Sequence, residues 1–453
     1  MEAASHLNQG RDENEDLTKG VGYAIVQRLV NESPEPLTVI LACRNKHRAQ
    51  EALTNLQNYF EKLNQRQRKH HGDNQQDHDK NSSEAVKELS SSPSPSPKKK
   101  DQKRTPSFYH HPPDLKIELV DIGSVASVLA FNQRIRDQYR KIDYLFCNAG
   151  ILPSAGLMWR KVVTDCFRAP MDLVVRADVL IQPKQHLTED GIGNVLACNV
   201  FGHYVMIKGL EDQLNKTEDD PGRVIWTSSL TAEKAMFKDD DWQGLEAKQP
   251  YESSKWVADL LSIRLNEIWA AQQPTGSLII AAAEMISTTA AGAGNLQSGV
   301  SSGTESNNGG RATTPIRRNT RSALEKDGSH SVTVVIPSKK NIVSFTTQPG
   351  IVASGIGGLA GWVVTLRIAL HYILRICGER HQTITGYHGA QANVYAALKS
   401  PIGEVDYRLK YGSCIGRTGK ELLKKEEIVE YEESQGQMVV EELEKLRLSF
   451  VSS

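Results

Sequence analysis

Apolar runs of strand length alternate with helical stretches along most of this chain, and that alternation leaves few folds open. "LTVILACRN" (37–45) is almost continuously apolar and rich in β-branched residues, and "KHRAQEALTNLQNYFEKL" follows it with a helical pattern. "LKIELVD" (115–121), the helix "SVASVLAFNQRIRDQYR" and "IDYLFCNAG" (142–150) come next. A long helix is expected around 189–214, then the strand "GRVIWTSSL" (222–230), a helix from Tyr251 and the strand "NIVSFTTQPG" (341–350). Strands that are apolar on both faces and separated by helices predict a parallel sheet covered on both sides. The expected fold is therefore one doubly wound α/β domain over residues 17–418.

Two stretches interrupt it. Residues 64–112 are polar and Pro/Ser-rich, and residues 288–330 are rich in Gly, Ser, Thr and Asn, so neither buries enough apolar surface to offset chain entropy. The His pairs at 70 and 110 carry no ligand spacing and are read as parts of a solvated loop. The remaining chain is long enough for a full core, being 453 residues with 39% hydrophobic content. Its 54 basic and 54 acidic residues cancel, which speaks against nucleic acid as a partner. The six cysteines are scattered, with no C-x-x-C, and are expected to be reduced and mostly buried. The N-terminus is polar and acidic with no apolar leader.

In open parallel sheets, ligands bind beyond the carboxyl ends of the strands. Those ends carry Arg44, Asp121, Asn148-Ala149-Gly150, Ser228-Ser229 and Pro349-Gly350. Tyr251 and Lys255, four residues apart, share one helical face. The Tyr-x-x-x-Lys spacing is common by chance. It recurs at Tyr395 and Lys399, in "GAQANVYAALK", after the expected last strand and with no serine-bearing strand before it.

The ordered set is specific. N-A-G at a strand end, Asn199 in "NVLACNVFG", Ser229, "YESSK" and "QPG" together resemble the short-chain dehydrogenase/reductase superfamily. "NVFGHYVMI", "RVIWTSSLTAEKA", "YESSKWVADLLSI" and "QPGIVAS" resemble its 3-keto-steroid reductases, especially the fungal ergosterol branch. The resemblance implies a Rossmann-like fold and NADPH-dependent reduction of a 3-keto sterol during C-4 demethylation. Tyr251 is then the proton donor, Lys255 the neighbouring cation that favours its phenolate, Ser229 the carbonyl partner and Asn199 the anchor of a proton-relay water. Ser228 is an alternative to Ser229, and Asn199 is otherwise a helix-kink residue. The loop between Ser229 and Tyr251 is long. Its Asp239, Asp240 and Asp241 are read as solvated or capping, and no metal site is expected.

For the cofactor, "DLTKGVGYAIVQRLV" (16–30) looks like the second half of a phosphate loop and its helix, with Gly20 and Gly22 as its last glycines. Arg44 ends the second strand where a cation favours the extra phosphate of NADP over NAD, and Lys19 points the same way. By resemblance Asp121 faces the adenine and Asn148 the adenosine ribose, with Ala149, Gly150, Pro349, Gly350, Val352 and Ser354 completing the NADP(H) site. The family pattern places glycine at position 16, which is Asp16 here, and residues 1–16 contain no apolar run to form a first strand. That strand is expected to be missing, leaving two neighbours without their shared partner.

"GIGGLAGWVVTLRIALHYILRICG" (355–378) is the most apolar long stretch. Arg367, His371 and Arg375 recur every four residues, and Leu366, Leu370, Ile373 and Leu374 occupy the other faces, with Trp362 near its start. The pattern predicts a helix lying in the headgroup plane of a membrane, with the cationic stripe outward; a core helix with a basic edge is the alternative. Residues 419–453 read as a charged helix. The expected partners are a sterol, a membrane surface and other C-4 demethylation enzymes, on the cytosolic face of the endoplasmic reticulum or on a lipid droplet. Two other functions stay open: a reductase of another ketone or a retinoid, and a catalytically dead membrane scaffold.

Overall fold

The computed structural model describes residues 20–85, 112–168, 179–271, 340–353, 361–401 and 406–451, with backbone alone for 66–85, 166–167 and 361–367. Asp16, Lys19, Ser354 and the 288–330 insert lie outside the described residues. The first element is helix α1 (Val21–Glu32), followed by strand β1 (Thr38–Cys43), helix α2 (Lys46–Ala85) and strand β2 (Asp114–Leu119). Helix α3 (Val125–Gln138) and strand β3 (Tyr144–Cys147) come next. A small excursion holds strand β4 (Gly156–Leu157), helix α4 (Trp159–Arg168) and strand β5 (Leu180–Ile181). After a short helical turn at Asn194–Leu196 the chain widens to a π-turn over Ala197–Phe201 and continues as α5 (Gly202–Leu214). Strand β6 (Gly222–Thr227), helix α6 (Pro250–Ala270) and strand β7 (Ile342–Gln348) follow. Helices α7 (Gly361–Cys377), α8 (Gly386–Gly389) and α9 (Gln391–Leu398), strands β8 (Leu409–Ile415) and β9 (Glu421–Glu427), and helix α10 (Glu433–Val451) complete the fold.

The architecture is mixed α/β with parallel strands and helices on both faces. β3, β6, β7 and β8 run parallel in that order, and β9 closes the sheet antiparallel to β8. Alternation along β6 sorts its side chains. Val224 and Trp226 enter the core built with α3, α5, α6 and α10, while Ile225 enters the opposite core with α1 and α9. Every residue of β6 and β7 is buried, including Arg223, Ser344, Thr346, Thr347 and Gln348, as central strands covered on both faces require.

β1 and β2 form a separate parallel pair, in register from Thr38–Asp114 to Cys43–Leu119. Among the described residues no strand joins this pair to β3, the edge of the larger sheet. The run at 37–45 predicts a fully buried strand, but no residue of β1 is fully buried. The reason is pairing on one side only, which leaves half of its edge uncovered.

Three other expectations need correction. The helix after β1 continues to Ala85 instead of giving way at residue 64, because the Gln-, Arg- and Lys-rich segment before Pro93 has adequate helix propensity and a polar helix needs no core. β7 is not the last strand, since β8 and β9 follow it. The charged C-terminal segment is a helix only from Glu433. Residues Glu421–Glu427 pair with β8, where an edge strand tolerates the exposed Lys424, Lys425 and Glu427. The thiols of Cys147, Cys198 and Cys414 are buried, whereas Cys43 is half-buried and Cys377 exposed.

Candidate active site

The carboxyl end of β6 and the first turn of α6 bring the expected catalytic groups together. Ser229 follows β6 directly, and its hydroxyl hydrogen-bonds the Tyr251 phenol and lies 3.0 Å from Thr231 Oγ1. Gln182 fixes the start of α6: its Oε1 accepts from Tyr251 N at 2.9 Å, and its Nε2 donates to Glu252 at 2.8 Å. The Lys255 ammonium donates to Thr227 O at 2.7 Å, and Nζ lies 5.6 Å from the centroid of the Tyr251 ring. Ser228, the alternative to Ser229, is buried behind the site with its hydroxyl toward Lys255 O at 3.5 Å.

Burial dominates both titrations. It lifts the Tyr251 phenol to about 12, reinforced by the negative Glu252, while the Ser229 hydrogen bond works the other way. It lowers the Lys255 ammonium to about 8, against the attraction of Asp259 and Cys147 and with the repulsion of Lys410. With Lys255 Nζ 5.6 Å from the ring centroid, burial is the dominant influence on the phenol.

Asn199 sits in the π-turn and closes a clamp on the segment after β3. Its Oδ1 accepts from Ile151 N at 2.7 Å, and its Nδ2 donates to Ile151 O at 3.1 Å and to Ser254 Oγ at 2.9 Å. The helix-kink reading describes what is seen: the widened turn at Asn199 aims its amide at Ile151 and Ser254. Its side chain is committed to Ile151 and Ser254.

The cofactor side is assembled from the same rim. Gly20 is the N-cap of α1, and among the described residues no side chain caps that helix end, whose dipole favours an anion. At Gly22 a Cβ would lie 2.7 Å from Asn148 Nδ2, so α1 approaches the N-A-G turn closely here and a larger residue would have to displace the Asn148 amide. Ala149 O accepts from His203 Nε2 at 2.8 Å, and Gly150 lies beside Asn199 and Lys255. Arg44 and Asp121 face each other across the ends of β1 and β2 at 3.9 Å, both largely exposed. Asp121 Oδ1 also accepts from Gly123 N at 3.0 Å. Beyond β7, Gly350 adopts φ +68°, and a Cβ there would strike His381 O at 2.7 Å. Thr383 Oγ1 holds Pro349 O at 2.9 Å, and Val352 forms a lone parallel bridge with Ile384.

Several residues the sequence reading passed over prove integral. His203 is one turn beyond Asn199; burial drives its imidazole down to about 4, and the bond to Ala149 O opposes this. Gln182 lies in a segment with no motif. Asp259 and Lys410 form a buried ion pair behind Lys255. The i,i+4 step from Lys255 to Asp259 was the one visible signal for that pair.

Elsewhere, Asp241 caps the loop before α6, accepting from Leu245 N at 2.8 Å and Glu246 N at 3.0 Å, as the capping reading expects. Among the described residues no group of three His, Cys, Asp or Glu is placed to hold a metal. Tyr395 and Lys399 belong to the outer face, with Lys399 paired to Glu32. In α7 the cationic stripe is not all outward: His371 is fully buried with Nδ1 2.5 Å from Gln382 Oε1, and Ile373 and Ile376 are exposed instead. The packing of Leu374 against the domain sets this rotation. Among the described residues no helix is long and apolar enough to cross a membrane.

This geometry belongs with a sequence likeness. The chain is 34% identical over 158 residues to the human 3-keto-steroid reductase/17-beta-hydroxysteroid dehydrogenase 7, covering 35% of this chain and 46% of that protein. The chain is a relative of the 3-keto-steroid reductases. The Aspergillus fumigatus 3-keto-steroid reductase erg27 is 28% identical over 329 residues, with 67% of this chain and 62% of the fungal reductase covered. This relative thus spans less than half of the human reductase and under two thirds of the Aspergillus one. No family model matches the chain. Among solved structures, an alcohol dehydrogenase from Thermococcus sibiricus complexed with 5-hydroxy-NADP aligns over 55% of this chain and 66% of its own at a TM-score of 0.29 and 15% identity.

Proposed function

We propose that this chain carries the active site of an NADPH-dependent reductase that converts a 3-keto sterol to the 3-hydroxy sterol during C-4 demethylation. The observation that carries the reading is the meeting of half-buried Ser229 and Tyr251 with buried Lys255 at the end of β6. The residues present suit a nicotinamide dinucleotide: α1 offers an N-terminus that no described side chain caps, Gly22 admits close approach, and Arg44 supplies a cation for a 2′-phosphate.

When bound, the dihydronicotinamide supplies hydride to the carbonyl carbon. Tyr251 gives its phenolic proton to the carbonyl oxygen, and Ser229 donates a hydrogen bond that holds that oxygen beside Tyr251. A charged Lys255 nearby stabilises the phenolate left behind, which is where its cation matters most. Asn199 keeps Ile151 and Ser254 fixed around this centre.

Exposed Ile373 and Ile376 on α7 support a second element of the proposal, contact with the cytosolic face of the endoplasmic reticulum membrane or a lipid droplet. There the sterol and the other demethylation enzymes would be met. The test is a titration of the purified chain with NADPH, read by nicotinamide fluorescence and melting temperature, followed by turnover of a 3-keto sterol. Saturable binding with sterol turnover that Tyr251→Phe abolishes supports the reading. Turnover of a small ketone or a retinoid but not of the sterol supports another reductase. A folded chain without NADPH binding sinks the enzyme reading in favour of a scaffold.

A further inference from the structure

Two lysines hold alternate carbonyls of the strand end that presents Ser229. Lys255 donates to Thr227 O at 2.7 Å, and Lys410 donates to Ser229 O at 3.3 Å. Lys410 comes from β8, where it pairs with Thr346 of β7 and Glu426 of β9, so its backbone is fixed on both sides. Its ammonium forms an ion pair with Asp259, which is fully buried one turn beyond Lys255 on α6. One carboxylate therefore serves two buried cations.

We propose that Lys410 and Asp259 are positioning residues, whose ion pair anchors the Ser229 carbonyl and sets the place and charge of the Lys255 ammonium. The proposal rests on the reductase reading of the site. An ion pair here has a chemical rationale beyond stability, because a buried pair is not by itself stabilising relative to apolar replacements. Lys410 repels Lys255 while Asp259 attracts it, so the two residues act on the same ammonium with opposite signs. The other groups that face Lys255 do not offset them. Cys147 from β3 is a buried thiol held neutral by desolvation, His203 from α5 is neutral above about pH 4, and Tyr251 is protonated below about 12.

Removing Lys410 leaves Asp259 with Lys255 as its only nearby cation, so the lysine is drawn off Thr227 O and holds its proton more tightly. Removing the Asp259 charge leaves two cations in one buried space, and Lys255 gives up its proton earlier. A merely structural pair predicts no such opposite movement.

The test is a lysine 13Cε NMR titration of the full chain, with the Lys255 resonance assigned by its disappearance in Lys255→Arg. The Lys255 midpoint should rise by about one pH unit in Lys410→Met and fall by about one unit in Asp259→Asn. The double variant Lys410→Met/Asp259→Asn, which buries no lone charge, should return it toward the wild-type value and keeps the test open if either single variant unfolds. Midpoints that stay put, or that move in the same direction in both folded single variants, overturn the proposal. The double variant alone decides if the singles do not fold: a midpoint displaced by more than a unit overturns it. Because this readout needs no turnover, an inactive wild type would count against the reductase reading and leave the positioning result standing. Where turnover is present, the alkaline limb of kcat/KM should shift with the NMR midpoints.

Discussion

Tyr251 and Lys255 lie on one face of α6, yet the ammonium is 5.6 Å from the ring centroid and spends its hydrogen bond on Thr227 O. The pair is thus a phenol kept protonated by burial beside a cation kept weakly acidic by burial. Their division of labour has a pH signature.

Lys255 carries its proton below about pH 8 in the folded chain, so kcat/KM for a 3-keto sterol should fall as pH rises through about 8. Stability should move the other way. An unfolded lysine stays protonated up to its ordinary range near 10.4, so the unfolded state binds more protons in that window and stability rises with pH there. Rate profiles together with urea midpoints between pH 7 and 10 check both signs. A rate that stays flat through pH 10 would remove Lys255 from the proton chemistry.

Arg44 directly follows β1, and its side chain is 74% exposed beside Asp121. Arg44→Asp should weaken NADPH binding at least tenfold relative to NADH, since the carboxylate repels a 2′-phosphate and accepts ribose hydroxyls. Fluorescence titrations with both nucleotides measure the ratio. An unchanged ratio would place the 2′-phosphate elsewhere.

Arg28 ties α1 to the edge strand β9. Its guanidinium reaches Glu421 Oε1 at 2.6 Å and Oε2 at 3.0 Å, and the pair is well screened from water on the arginine side. Glu421→Gln should cost about 2 kcal/mol, because Arg28 loses one of its two carboxylate partners while Glu32 stays paired with it at 2.8 Å. Although desolvation alone would raise it, the hydrogen bonds from His388 and Arg28 hold the Glu421 carboxyl down at about 2. The wild-type contribution is therefore present above pH about 4.5 and is lost as pH falls toward 2. Denaturant unfolding at pH 7 and 3 compares the two chains: the gap should narrow at pH 3.

His203 gives a second acid-side signature. It is buried and neutral, so lowering the pH from about 6.5 to 4 protonates it only in the unfolded chain and destabilises the fold by about 3 kcal/mol. His203→Phe should flatten that slope while losing the bond to Ala149 O. Equal slopes for both proteins, measured in urea across this range, would contradict the assignment.

The catalytic core was legible because its parts are local and patterned. β6 and β7 announce themselves as short runs rich in β-branched and aromatic residues, and Tyr251 and Lys255 are tied by helical spacing. What escaped notice depends on distant pairing. β9 reads "ELLKKEE", whose charges suit a solvent-facing helix equally well until β8 supplies its hydrogen bonds. Lys410 looks like any surface lysine in sequence, and only the crossing of β8 behind α6 buries it against Asp259. His371 was assigned to the outside of α7 by its period with Arg367 and Arg375, but periodicity identifies a stripe without saying which way the stripe turns.

The separate β1–β2 ladder has a consequence for how the molecule comes apart. Its link to the remainder runs through side chains, such as Ile40 packing on the main core and Leu37 on the other, and through no described backbone ladder. Such a pair can detach as its own cooperative unit at a small fraction of the global unfolding free energy. Its amides would then exchange with solvent long before those of β6 and β7, and Arg44 and Asp121 would leave with them, so nucleotide affinity and local opening would be read from the same segment.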